Sequence, residues 1–183
     1  MDTVIRRSFL TALIVALAAC LALPATAIAG KTATHEPPYK KGHSGGDEFN
    51  YVNADPESGH VTLLRLFPGV PPVVGCAPEP AAGWATLTQT HDTGDSIDKV
   101  IVNFDGFLEP YAWVYATVRD SKGDAIGLRK LQGPYAGAGS LKVDIFKQPK
   151  RDSTIEIEFG AQLGDACPQV GGADVTFSSI KIN

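Results

Sequence analysis

The chain has 183 residues, 16 Lys and Arg against 20 Asp and Glu, a formal net charge of −4, and 44% hydrophobic residues. That length suits one domain with its own core. The acidic balance excludes an electrostatic footprint for nucleic acid or for anionic lipid, since the densest basic spots, Lys40-Lys41 and Lys147 to Arg151, are short groups beside Pro and Gly.

Residues 1–29 read as a cleavable signal peptide. Arg6 and Arg7 form a basic start, Phe9 to Leu23 an apolar run, and Ala27-Ile28-Ala29 a small-residue exit before Gly30. The apolar run falls short of the ~20 residues a membrane span needs, so a removed signal is expected and no stable span. Arg6-Arg7-Ser8-Phe9-Leu10 resembles a twin-arginine signal, although Ile5 stands where Ser or Thr is usual. Leu17-Ala18-Ala19-Cys20 resembles a bacterial lipobox, which would anchor the protein through Cys20; the apolar Leu21-Ala22-Leu23 that follows speaks for cleavage after Ala29. Secretion is the expectation. Loss of Asp2, Arg6 and Arg7 leaves the product slightly more acidic.

Residues 30–48 carry no apolar period and read as a flexible N-terminal segment, with the domain over 49–183. Gly42-His43-Ser44-Gly45-Gly46 fits the G-x-S-x-G nucleophile pattern formally. That pattern works only where a strand feeds a strained turn and a helix, and Pro37-Pro38-Tyr39-Lys40-Lys41 precedes it here. Ser44 is therefore not read as a nucleophile.

Short runs rich in Val, Ile, Thr, Phe and Tyr then predict strands near His60 to Phe67, Trp84 to Thr90, Ile97 to Asp105, Tyr111 to Asp120, Ala125 to Gln132, Ser140 to Lys147, Thr154 to Gly160 and Asp174 to Ile182. Phe67 to Cys76 is a Pro- and Gly-rich loop. Asp120-Ser121-Lys122-Gly123-Asp124 predicts a hairpin connection with Gly123 at positive φ. Period two breaks at Ser178-Ser179 and predicts a β-bulge. Eight strands without a helical period give an all-β, two-sheet antiparallel β-sandwich, jelly-roll-like or, alternatively, immunoglobulin-like. In an oxidising compartment Cys76 and Cys167 form an even pair, and one disulfide is expected. In the chain-entropy model such a loop of roughly 91 residues restricts the unfolded chain by about 4–5 kcal/mol.

The run from Val100 through Tyr111-Ala112-Trp113-Val114-Tyr115, then Thr154 to Gly160, a Gly-rich loop and Ala173-Asp174-Val175-Thr176-Phe177, resembles the strand rhythm of galactose-binding-like jelly-roll modules, many of which bind carbohydrate. The resemblance covers about the last hundred residues and transfers no site residues.

From Tyr111 to Asp120 one face carries Ala112, Val114, Ala116 and Val118, and the other Tyr111, Trp113, Tyr115, Thr117 and Arg119. Either the small row faces the core and the aromatics lie outside, where they could stack on sugar rings, or the aromatics are core. Trp84 and Tyr135 fit either arrangement. The acidic loops His91 to Asp95 and Asp120 to Asp124 lack EF-hand spacing and read as turns. His35, His43, His60 and His91 are scattered without ligand spacing, and Glu156 and Glu158 read as the wet side of a strand. No metal or cofactor is expected. The resulting expectation is a secreted, monomeric, non-catalytic binding module with a glycan ligand at Tyr111, Trp113 and Tyr115. The alternatives are a peptidase inhibitor or module binding a secreted protein through the loop 67–76, and a structural cell-envelope protein.

Overall fold

The computed structural model describes residues 32–46, 50–65, 83–94, 96–163 and 172–183. The expected signal segment with Cys20, the expected loop over 67–76 with Cys76, and Cys167 lie outside the described residues. In chain order the strands are β1 (Ala33–His35), β2 (Lys41–Gly46), β3 (Asn50–Asp55), β4 (His60–Arg65), β5 (Gly83–Thr93), β6 (Lys99–Leu108), β7 (Ala112–Arg119), β8 (Ala125–Gln132), β9 (Tyr135–Asp144), β10 (Ser153–Leu163) and β11 (Gly172–Ile182). No helix occurs among the described residues.

The strands form two antiparallel sheets packed as a β-sandwich. A six-stranded sheet runs β3-β4-β11-β6-β9, with β1 paired to the far half of β11; a five-stranded sheet runs β2-β5-β10-β7-β8. Alternation explains the arrangement. Val100, Val102 and Phe104 on β6, Ile155, Ile157 and Phe159 on β10, and Val175 and Phe177 on β11 are essentially solvent-free, while intervening polar residues face outward. Phe159 and Phe177 meet across the two sheets edge to face, ring centroids 5.1 Å apart, and hold the centre of the core.

The bulge expected at Ser178-Ser179 is present as a register shift between Phe177 and Ser179 against β6, which returns Ile180 and Ile182 to the core. The β7–β8 hairpin closes with the Asp120 N–H donating to the Asp124 carbonyl at 2.9 Å and Gly123 at φ 85°. Boundaries elsewhere differ: the strand predicted from Ser140 begins at Tyr135, and the one predicted from Ile97 begins at Lys99.

Within the segment expected to be flexible, β1 and β2 are strands and Tyr39 is buried. The Tyr39 ring stands edge to face on Phe159, centroids 4.9 Å apart, and its hydroxyl donates to the Phe177 carbonyl at 3.1 Å. The Lys40 N–H donates to the Thr88 carbonyl at 3.0 Å, which starts the pairing of β2 along β5. A single aromatic anchor and backbone pairing order this segment without any apolar period of its own.

Candidate functional site

Register places the outward residues of the five-stranded sheet in rows that cross all or most of it. Gly45, Trp84, Gln162, Trp113 and Gln132 form one row, and His43, Thr86, Gly160, Tyr115 and Lys130 the next. Lys41, Thr88, Glu158, Thr117 and Leu128 follow, then Thr90, Glu156, Arg119 and Ala125. Opposite residues in a ladder share a face. Above these rows lies an open groove of about 730 Å³, walled by Lys41 and His43 on the β2 side and by Leu128 and Lys130 on the β8 side.

Ala112, Val114, Ala116 and Val118 have no exposed surface and belong to the core. The small row therefore faces inward, and Trp113, Tyr115, Thr117 and Arg119 share the outer face of the sheet; Tyr115, Thr117 and Arg119 line the groove, whereas Trp113 lies outside its lining. Tyr111 is not in that row. It has φ 71° in the turn before β7, so the alternation that would align it with Trp113 breaks one residue earlier, and it lies outside the groove lining.

Trp113 and Tyr115 are held in the sheet surface rather than raised from it. The Trp113 indole N–H donates to Gln162 Oε1 at 3.2 Å, and the Lys130 ammonium sits 5.2 Å from its ring centroid. Tyr115, only 9% exposed, sends its hydroxyl over Gly160 to the Thr86 hydroxyl on β5. That crossing spans two strand spacings, roughly 9.6 Å, which a phenol covers only by lying flat. A Cβ at Gly160 would stand 2.1 Å from the Ala85 carbonyl oxygen, so no larger residue fits beneath it. Burial, with the Glu158 carboxylate adding to it, pushes the Tyr115 phenol up to about 12 against the hydrogen bond shared with Thr86. The phenol is neutral at physiological pH. Arg119 Nε lies 3.6 Å from Glu158 Oε2 and balances that carboxylate in the groove.

Trp84 is the most exposed aromatic of the groove, at 39%, where the sequence fits it to either arrangement without choosing. Its indole lies on Gly45 of the edge strand: a Cβ there would come within 2.8 Å of Trp84 Cζ2. One ring face is thus seated on backbone while part of the indole stays open to the groove. The signal that could have found it is the Gly-rich edge strand beside a lone tryptophan, but their pairing spans 39 residues of sequence and is not legible locally. Tyr135 belongs to the other sheet, tilted against Phe104 at 5.5 Å.

Ser44 lies within β2, an extended edge strand, rather than at a strand-to-helix turn. In the Asp120–Asp124 loop the Asp120 carboxylate accepts the N–H groups of Lys122 and Asp124 at 3.0 and 3.1 Å. The Lys147 ammonium lies 3.4 and 3.5 Å from the carboxylates of Asp120 and Asp124. Burial opposes ionisation of Asp120, yet these donors together hold its carboxyl below the usual range. A lysine therefore occupies the loop's negative charge. In the other acidic loop the Thr154 hydroxyl donates to Asp92 at 2.7 Å. Among the described residues no three or more of His, Cys, Asp and Glu gather as a metal cluster, and no helix is long and apolar enough to cross a membrane.

Two histidines expected to be scattered are brought together. His35 Nε2 of β1 and His91 Nδ1 of β5 are 3.2 Å apart, whereas His43 lines the groove and His60 pairs with Asp174 at 2.8 Å on the opposite sheet.

No protein-family model matches the chain, and no curated protein matches it. Solved structures with which it shares a likeness include carbohydrate-binding modules, a bacteriophage tailspike domain and an insecticidal crystal protein. TmCBM61 in complex with β-1,4-galactotriose is 12% identical, with a TM-score of 0.42, covering 78% of this chain and 88% of that one. Carbohydrate-binding module CBM36 in complex with calcium and xylotriose is 10% identical, with a TM-score of 0.42, covering 82% and 99%. A CBM4 structure is 10% identical, with a TM-score of 0.46, covering 78% and 94%.

Proposed function

We propose that the chain is an exported, non-catalytic binding module whose glycan ligand lies in the groove on the outer face of the five-stranded sheet. The observation that carries this reading is Trp84, a residue 39% exposed whose indole rests on Gly45 and lines a groove that crosses every strand of the sheet. A flat, pre-positioned aromatic surface takes the apolar C–H face of a pyranose, and it loses little conformational freedom on binding. Around it Thr86, Thr88, Gln162, Lys41 and His43 supply donors and acceptors for ring hydroxyls. Four strand spacings make the groove roughly 19 Å across, a dimension that favours several linked sugars over one. The neutral Tyr115 phenol and the Arg119-balanced Glu158 support binding rather than acid–base chemistry.

Export brings two further proposals, cleavage after Ala29 and a Cys76–Cys167 bond. Intact mass of the exported protein under non-reducing conditions checks both, since a start at an acylated Cys20 or two alkylatable thiols contradicts them. The binding itself is tested by retention on a panel of neutral and acidic polysaccharides. Retention competed by the matching soluble oligosaccharide is expected; no retention on any member refutes the reading.

A further inference from the structure

We infer that His35 and His91 form a binding site for a transition-metal dication, with Zn²⁺ as its representative. The inference is independent of the groove. The two residues stand 56 positions apart in sequence, one on β1 of the six-stranded sheet and the other on β5 of the five-stranded sheet. Folding alone brings His35 Nε2 within 3.2 Å of His91 Nδ1, with the rings nearly perpendicular at 77°. Without a metal, one ring donates to the other.

The same separation is what two imidazole nitrogens adopt on one zinc ion. With Zn–N bonds of about 2.0–2.1 Å, nitrogens 3.2 Å apart subtend roughly 100–106° at the metal, close to the tetrahedral angle. Both rings are half-buried. Burial holds His35 below its ordinary value; burial and then the neighbouring His35 hold His91 down, against the opposing Asp92 carboxylate. Burial thus favours the neutral imidazole in both rings, and that is the form that ligates. On binding, the proton now shared between the two nitrogens moves to the other nitrogen of its own ring, so no proton need leave. His91 also lines a cavity of about 490 Å³ together with Asp92, Ser96 and Asn183. Among the described residues no third His, Cys, Asp or Glu joins the pair, so water is the ligand proposed for the remaining positions. Imidazole pairs select zinc, copper or nickel over calcium and magnesium, which prefer oxygen.

A bound ion would fasten β1 to the opposite sheet. The test is a thermal melt of the full chain, stripped with EDTA and titrated with ZnCl₂ or CaCl₂. Zinc is expected to raise the midpoint by roughly 3–5 °C for each tenfold excess over its dissociation constant, in a chain of this size. Calcium should not, and the zinc shift should vanish in His35→Gln and in His91→Gln. No shift, or a shift that survives both substitutions, overturns the inference. Should a variant fail to fold in EDTA, long-range ¹H–¹⁵N histidine spectra of the unaltered chain decide: zinc must move Nε2 of His35 and Nδ1 of His91. Changes confined to His43 or His60 overturn it equally.

Discussion

Replacement of Trp84 by alanine is the sharpest probe of the groove. A tryptophan side chain presents up to about 250 Å², so 39% exposure of the residue leaves at most roughly 100 Å² for a ligand to cover. A sugar covering half to all of that surface removes about 50–100 Å² from water, worth about 1.25–2.5 kcal/mol at 25 cal/mol/Å². Trp84→Ala should therefore weaken glycan affinity by about eight- to sixty-fold. Titration calorimetry against the retained oligosaccharide measures this, at a temperature far below the melt, because the substitution also strips the packing on Gly45. Tyr51→Ala is the control. Tyr51 is 52% exposed on the opposite sheet, so the area argument applied without regard to place would assign it a similar loss. Unchanged affinity in Trp84→Ala, or an equal loss in Tyr51→Ala, refutes the placement of the ligand.

Tyr115→Phe removes the hydroxyl bound to Thr86 and should cost about 1 kcal/mol in denaturant melts. The Tyr115 phenol is raised in the folded state, so its contribution to stability is complete below about pH 10 and lost as pH rises towards about 12. Tyr39 is raised as well, so the Phe variant should flatten only part of that alkaline decline. His35 and His91 are lowered on folding; their contribution is complete above about pH 6.5 and falls as acid is added. In metal-free buffer, His91→Gln should make the midpoint less sensitive to pH between about 6.5 and 5, as read by a melt series. Phe159→Ala, at the contact of the two sheets, should destabilise by about 3–5 kcal/mol, as read by chemical denaturation.

Much of the sandwich is legible in the sequence because each long strand carries its own evidence. Ile155, Ile157 and Phe159 alternate with Glu156 and Glu158, and the broken period at Ser178-Ser179 marks the bulge where it occurs. The β7 face is a different case. Alternation separates Ala112, Val114, Ala116 and Val118 from Trp113, Tyr115 and Thr117, yet period two cannot say which set is inside. The partner sheet decides that, and it selects the small row because Phe159 and Phe177 already fill the space between the sheets. Tyr111 escapes the alternation through its left-handed φ, a backbone state that neighbouring residues do not announce.

Three strands are missed: β3 (Asn50–Asp55), which pairs with its neighbour β4, and β1 and β2, which are held by distant partners. Lys41–Gly46 has no apolar residue and becomes a strand only because β5 offers it an edge and Tyr39 pins the preceding residues to Phe159. The groove's exposed tryptophan depends on that same strand for its seat, and the histidine pair depends on β1. Local composition reports none of these three relations.

The buried ring of Tyr39 also bears on how the chain tolerates trimming. A cut at residue 49, where composition places the end of a dispensable lead, would delete β1, β2 and the Tyr39 anchor together. The β5 strand would then become a bare border of eleven residues, Gly83–Thr93, with unpaired amides along the length that Lys41–Gly46 now covers. Such a border invites pairing with the same border of another copy. Truncated protein should elute as dimers or larger species in size-exclusion chromatography where the untrimmed chain does not.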